Sequence, residues 1–353
     1  MAEDECNSHR QSRLFTTDDG DFDTERAREE SLPVEDGEVV DTDALADHQT
    51  YFEGRGIYDE RNRVNDLTGR EWKFATKSVI PEGYPPDLQH ELRSEHGGQK
   101  PPRLCAELIG RFTSAGDRIL DPFAGVGGTL LGASLCEHEG TGLREAIGFE
   151  QTARWIEIYE AVLAAENDDR AARGEPPLAA QEMRHGDCGD LIEAVEPNSI
   201  DLLFTDVPYW HMDQLEQTRN RREVRASKLG QFDTSAETGR SGDGSVDDGG
   251  GETDAQTKAA WLTAMAEKFE QFTGAVVDDG YLVVFIGDMY RGGSYEFLSA
   301  ELAAAIEDTA PVTLKANLVW YDPSKDLHVY GYPFSFVPSM VHQNVLVFRV
   351  DRS

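Results

Sequence analysis

The sequence predicts an α/β fold: a doubly wound, mostly parallel sheet with helices on both faces. Three observations carry that expectation. From about residue 100 onward, short apolar runs of strand type alternate with helical stretches, the pattern of successive βαβ units. One of these runs, Arg118-Ile119-Leu120, passes through Asp121-Pro122 into a glycine loop and then a helix-like segment. A second chemically distinctive stretch, Thr205-Asp206-Val207-Pro208-Tyr209-Trp210, directly follows the fourth strand. In a doubly wound sheet that is where ligand sites collect.

Taken in order, residues 1 to about 50 are rich in Asp, Glu, Ser and Thr and poor in aromatics. Such a composition buries too little apolar surface to offset chain entropy, so this stretch reads as a disordered acidic tail. One domain is expected over 51–353. Asn65 to Trp72 and Thr76-Lys77-Ser78 read as an ordered loop or short helix. His96-Gly97-Gly98-Gln99-Lys100-Pro101-Pro102 leads into Leu104, Leu108, Ile109 and Phe112, whose spacing gives a helix with one apolar stripe. Prolines suit its first turn.

The first strand and its loop then lead to a helix through Leu130–Leu135. A second strand, Ala146–Phe149, ends at Glu150, and a helix runs from Thr152 to about Ala165. A third short strand ends in Met183-Arg184-His185-Gly186-Asp187, and Ile200–Phe204 makes the fourth. Residues from about 211 to 257 are rich in Gly, Ser and Asp without apolar period, and read as a long, mobile insertion. It holds the dense basic cluster Arg219, Arg221, Arg222, Arg225 and Lys228. Order resumes with a helix from about Gln256 to Val276, a strand Tyr281–Ile286, a helix Glu296–Ile306, and strand-like runs Leu314–Tyr321 and Asn344–Val350. An aromatic, proline-bearing loop, Pro323–Val341, separates the last two.

Composition bounds the function. The 353 residues carry 67 acidic against 33 basic side chains, a formal net charge of -34. Phosphate binding depends on positive charge, so such a surface argues against a nucleic-acid partner unless its acidity serves another end. Adaptation of the whole surface to high salt, where screening shortens self-repulsion to a few Å, is the reading favoured, because the acids are spread through tail, loops and helix faces alike. Cys6, Cys105, Cys136 and Cys188 show no C-x-x-C spacing, indicating neither zinc site nor disulfide framework, and fit a reducing cytoplasm. No apolar run approaches the ~18 residues of a membrane span, and the acidic start lacks a signal peptide's basic and apolar regions. A cytoplasmic protein without a membrane partner is expected.

Chemistry enters with the two motifs. Gly125, Gly127 and Gly128 follow neither the G-x-G-x-x-G order of a dinucleotide site nor the Gly-Lys-Ser/Thr of a phosphate loop. Glycines there suit tight turns with φ > 0 and close approach of backbone to a nucleotide-like ligand. In the second motif, a carboxylate, a turn-fixing proline and two adjacent aromatics suit a grip on a planar heterocycle. Rings supply a stacking face, and Asp206 can accept a hydrogen bond from an exocyclic amine.

Together these segments resemble the amino-methyltransferases that modify adenine N6 or cytosine N4 in DNA, over roughly Asn65 to Arg349. The resemblance implies a Rossmann-like, class I methyltransferase fold, doubly wound and mostly parallel with a final antiparallel strand, and S-adenosyl-L-methionine as cofactor. Asp121, Pro122, Phe123, Ala124, Gly125, Gly127, Gly128 and Thr129 resemble the cofactor loop, and Lys100-Pro101 belongs to a segment that lines the same cofactor. Asp121 and the backbone of residues 124–128 would hold the methionine end, near the helix start. Glu150 is placed like the acid that binds ribose hydroxyls. Asp187 resembles the residue contacting the cofactor's adenine amine. Asp206, Val207, Pro208, Tyr209 and Trp210 resemble the catalytic stretch. There Asp206 and the carbonyl of Val207 or Pro208 would accept hydrogen bonds from the target amine, localising its lone pair, while Tyr209 stacks on the base.

The resemblance requires neither a metal nor a covalent enzyme intermediate, and it implies base flipping out of the duplex. DNA is the expected partner, ahead of RNA, and a restriction or specificity partner is compatible with such an enzyme. Arg219, Arg221, Arg222 and Arg225 are candidates for phosphate contact. One departure stands out: the family usually has proline where this chain has Val207, which frees φ and adds an N–H donor. An aspartate at the first position leans towards adenine, whereas Tyr209-Trp210 is the pattern of cytosine-N4 members, the base favoured here. A chain that keeps cofactor binding but has lost catalysis through Val207 is the alternative of a different class.

Overall fold

A computed structural model of the chain describes residues 41–138, 140–208, 210, 252–291, 293–323, 325, 327 and 332–352. Tyr209, the four arginines at 219, 221, 222 and 225, and most of the expected acidic tail and insertion lie outside the described residues. The chain divides into two compact units, Met1–Lys77 with Gly110–Ser114 and Ser353, and Ser78–Ile109 with Ala115–Arg352.

In the first unit, β1 (Gln49–Phe52) and β2 (Gly56–Asp59) form an antiparallel hairpin. A helix, α1 (Gly69–Ala75), follows where the sequence suggested a loop or short helix. It starts in a capping box: Glu71 N–H donates to Thr68 Oγ1, and the Glu71 carboxylate reaches back to the Thr68 amide. Arg55 grips both oxygens of that carboxylate, at 2.8 and 3.0 Å.

The second unit contains β3 (Val79–Ile80), α2 (His90–Arg93), most of α3 (Pro102–Phe112), β4 (Arg118–Asp121), α4 (Gly128–His138), β5 (Glu145–Glu150), α5 (Ala153–Arg173), β6 (Glu182–His185), α6 (Cys188–Ile192) and β7 (Ile200–Asp206). After these come α7 (Glu252–Thr273), β8 (Val276–Ile286), the hairpin β9 (Met289–Arg291) and β10 (Ser294–Glu296), α8 (Leu298–Thr309), β11 (Val312–Tyr321) and β12 (His342–Val350). Eight strands form one sheet in the order β3-β11-β12-β8-β7-β4-β5-β6. Its centre is parallel, and β12 runs antiparallel between β8 and β11.

Counting from β4, the strands run third, second, first, fourth, fifth, with the last inserted beside the fifth. The expected fold class is therefore present, with its chain reversal after the first strand at β4 and β7. Central strands are buried on both faces, which is why Ile119, Leu120, Leu202, Leu203 and Val283–Ile286 read as unbroken apolar runs. One core cluster lies between this sheet and α7 and α8, where Met265, Phe269, Phe272, Leu298, Leu302 and Ile306 are fully buried, and α3, α4 and α5 bury Leu104, Leu108, Leu130, Leu131 and Val162.

Some boundaries differ from those read in the sequence. α5 continues to Arg173, since its polar second half is held by Arg173–Glu166 pairing and by Asn167, which bonds both backbone groups of Leu178. Gly174 in the left-handed region ends it. α7 begins at Glu252, inside the stretch expected to be insertion, and stops at Thr273. Val276 already opens β8 by pairing with Ile200.

Candidate methyl-transfer site

The parallel strands β4, β5, β6, β7 and β8 all end at one edge of the sheet, so Asp121, Glu150, the turn after His185, Asp206 and the turn after Ile286 share that edge. Asp121 closes β4 and is fully buried. Its Oδ2 accepts from Thr129 Oγ1, and its Oδ1 accepts from Thr205 Oγ1 at 2.7 Å and from the Phe123 amide at 3.1 Å. Burial pushes this carboxyl up to about 6, against the opposing pull of those hydrogen bonds. One side chain thus joins the loop, the start of α4 and the strand that carries Asp206. The structure gives Asp121 a linking position, where the resemblance implied contact with cofactor.

The loop after it turns twice through the left-handed region, at Gly125 (φ 52°) and Gly127 (φ 76°). A Cβ on Gly127 would lie 2.4 Å from the Tyr159 ring, and one on Gly125 would lie 3.0 Å from His96 Nε2. The crowding that demands these glycines therefore comes from His96 and Tyr159 of the chain itself. Three loop amides are engaged internally: Ala124 with the Phe149 carbonyl, Gly125 with Glu150 Oε2 at 3.0 Å, and Gly127 with the Ala124 carbonyl. Pro122 and Phe123 form the turn out of β4, with the Phe123 ring edge-on to Phe272. Gly128 begins α4, and a Cβ there would meet the Lys100 carbonyl at 3.1 Å. The segment 96–101 therefore packs against the loop through His96 and Lys100, and Pro101 accepts the first bond into α3 from the Cys105 amide. Buried Arg93 fixes its approach by donating to the carbonyls of Asp87, Leu88 and Lys100.

Glu150 ends β5 with Oε1 accepting from the Thr152 amide at 2.6 Å, and burial raises its pKa from the ordinary value. Asp187 caps α6 through the Gly189 amide at 2.7 Å while its side chain stays half exposed. Both carboxylates stand at ends of adjacent strands beside the loop.

Asp206 ends β7. The Lys100 ammonium pairs with Asp206 Oδ2 and lies 5.4 Å from the centre of the Phe285 ring. Lys100, expected to line the cofactor, thus pairs with the candidate acceptor carboxylate. Val207 is buried, and its amide donates to the Phe285 carbonyl at 3.3 Å. The Pro208 carbonyl accepts from the indole of Trp261 at 3.1 Å. Trp210, expected among the ring-gripping residues, is buried in the core with Val207 and Trp261.

Thr205 opened the stretch singled out in the sequence but was given no role there, and Trp261 and the Phe285 carbonyl were not singled out as site groups. Trp261 shares a helical stripe with Met265, Phe269 and Phe272, the signature of core packing, so nothing in sequence marked its polar edge. β11 ends and β12 starts at the same sheet edge, where the Asp322 amide donates to the Val341 carbonyl at 2.8 Å at the two ends of the loop that joins them, and the β9–β10 hairpin follows β8 from that edge as well. Tyr332, Phe336 and Phe334 in that loop are 80, 92 and 95% exposed, respectively.

The strand order is that of the doubly wound α/β fold expected from the sequence, with β12 antiparallel beside β8. Residues 49–161 match the model of the N6/N4 DNA methylase family, which supports the DNA amino-methyltransferase resemblance read from the motifs. No curated protein matches the chain in sequence. Among solved structures, the chain is similar to TrmN from Thermus thermophilus at 11% identity, covering 70% of this chain and 48% of that one, with a TM-score of 0.34. A candidate DNA modification methylase, also from Thermus thermophilus and complexed with S-adenosyl-L-methionine, matches at 14% identity over 46% of this chain and 51% of that one, TM-score 0.29. A SAM-dependent methyltransferase from Methanosarcina mazei matches at 11% identity over 70% of this chain and 98% of that one, TM-score 0.37. The chain spans about half the length of the first two of these structures.

Proposed function

We propose that this chain is an S-adenosyl-L-methionine-dependent methyltransferase acting on an exocyclic base amine, with DNA as its polymer and cytosine N4 as the favoured position. The observation that carries the reading is the juxtaposition of Asp206 with the glycine loop at one sheet edge, joined through Thr205 and Asp121. The donor set fits the cofactor: carboxylates at the ends of β5 and β6 suit ribose hydroxyls and an adenine amine, and the start of α4 suits a carboxylate. Glu150, Asp187 and the loop backbone would hold it. When bound, it supplies an electrophilic methyl group.

The protein's own contribution is to make a poor nucleophile competent. An aromatic amine delocalises its lone pair into the ring, and acceptors aimed at its hydrogens draw that pair back to nitrogen. Asp206 and the Pro208 carbonyl are such acceptors, and Lys100 holds the Asp206 carboxylate in place. Because the amine is paired in a duplex, the base must leave the stack, at a cost of about a few kcal/mol. Tyr209 is assigned the stacking role. The exposed rings of Tyr332, Phe334 and Phe336 are assigned to neighbouring unpaired bases, since base stacking tolerates an acidic surface better than phosphate contact does. The insertion arginines would supply the remaining phosphate contacts. The acidic surface is assigned to high salt and the free thiols of Cys105, Cys136 and Cys188 to a reducing cytoplasm.

Nucleoside mass spectrometry after incubation with labelled cofactor in high-salt buffer tests the reading, with unmodified DNA and RNA in parallel. N4-methylcytosine in DNA is the expected product. Label only in RNA would change the polymer, and label in neither would overturn the proposal.

A further inference from the structure

We infer that Trp261 is a positioning residue for methyl transfer and that, with the Val207 amide, it replaces the rigidity a proline at 207 would give. The inference rests on the reading of Asp206 to Pro208 as the acceptor site. A valine leaves φ free and adds an N–H that, buried, must find an acceptor. That N–H meets the Phe285 carbonyl at 3.3 Å, extending the β7–β8 pairing one step beyond Asp206↔Phe285. One residue later, the Pro208 carbonyl receives the Trp261 indole N–H at 3.1 Å.

A carbonyl oxygen has two lone pairs, so the indole fixes its direction and leaves one site for an incoming amine. The Val207 N–H therefore ties the chain after Asp206 to β8, and the Pro208 carbonyl, two peptide groups further on, ties it to α7. Proline at 207 would fix φ but remove the bond to Phe285. The valine is accordingly part of a tied arrangement.

Trp261→Phe keeps the ring in the core and removes only the donor. With wild type active, the variant should lose about tenfold in kcat, the size of one well-placed hydrogen bond, with KM for the oligonucleotide and cofactor affinity held. Its thermal midpoint should stay within a few degrees of wild type. Independently of activity, the Trp261 indole proton in 15N-labelled protein should exchange far more slowly than that of half-exposed Trp72.

Val207→Pro, followed by the same kinetics and thermal melt, should lower kcat or leave it unchanged. Unaltered kcat in Trp261→Phe, rapid exchange at Trp261, or a tenfold gain in Val207→Pro would each overturn the inference while leaving the wider reading intact. A wild-type protein that methylates no polymer, with Trp261 still protected, would instead remove the functional reading and the catalytic role of Trp261 with it.

Discussion

Thr205 Oγ1 donates to Asp121 Oδ1 at 2.7 Å in the interior of the sheet, linking the strand that leads to the glycine loop with the strand that ends at Asp206. Methyl donor and acceptor would meet between these two strand ends, so this bond sets their spacing. Its acceptor is a buried carboxyl, and that makes the link sensitive to pH.

Asp121 has its pKa pushed up to about 6 from 3.8 because burial disfavours its charge. A raised carboxyl contributes stability that is fully present below the unfolded value near 4 and is lost as pH rises through about 6. Asp121→Asn stays neutral throughout. Between pH 4 and pH 7 the variant should gain on wild type by up to about 3 kcal/mol, the worth of a shift of about two units. Urea denaturation at the two pH values checks this; parallel profiles would contradict it.

Lys100 touches Asp206, so Lys100→Met should separate chemistry from cofactor binding. We expect kcat to fall by at least about tenfold, while calorimetric affinity for S-adenosyl-L-methionine changes little. A large loss of cofactor affinity with kcat preserved would return Lys100 to the cofactor.

At Gly127, the positive φ and the Tyr159 ring, which an added Cβ would strike, act together. Gly127→Ala should cost about 2 kcal/mol or more through left-handed strain and the displaced ring, lowering the thermal midpoint by several degrees. An unchanged midpoint would show that the loop relaxes freely.

Much of this arrangement was legible in the sequence because it depends on local pattern. The strands of the central sheet are buried on both faces, so Ile119-Leu120 and Leu202–Phe204 announced themselves as apolar runs, and the residues that end them were read as site candidates. What escaped depends on contacts distant in sequence. Trp261 sits 53 residues beyond Pro208, in a stripe that packing alone would explain. The glycine loop was legible as a loop and the segment that begins at His96 as its neighbour, but no pattern linked Tyr159, on α5, to it. The polar half of α5 was missed because ion pairs sustain it where apolar period gives out.

The exposed aromatic loop yields a prediction about the polymer. Phe334→Ser combined with Phe336→Ser should weaken binding to an oligonucleotide with an unpaired target base by about tenfold or more, each stacked base being worth about 1–3 kcal/mol. Fluorescence anisotropy at fixed high salt checks this, with the thermal midpoint unchanged because neither ring is buried. Equal affinity in wild type and variant would remove the loop from the nucleic-acid surface.

The most direct test is single-turnover transfer of labelled methyl to unmodified DNA by wild type and by Asp206→Ala, with cofactor binding measured on both. Wild type should label DNA, and the variant should bind cofactor normally yet transfer at least about a hundredfold more slowly, in the range known for removal of a group that acts on the reacting atoms. Transfer by Asp206→Ala at the wild-type rate would contradict the account.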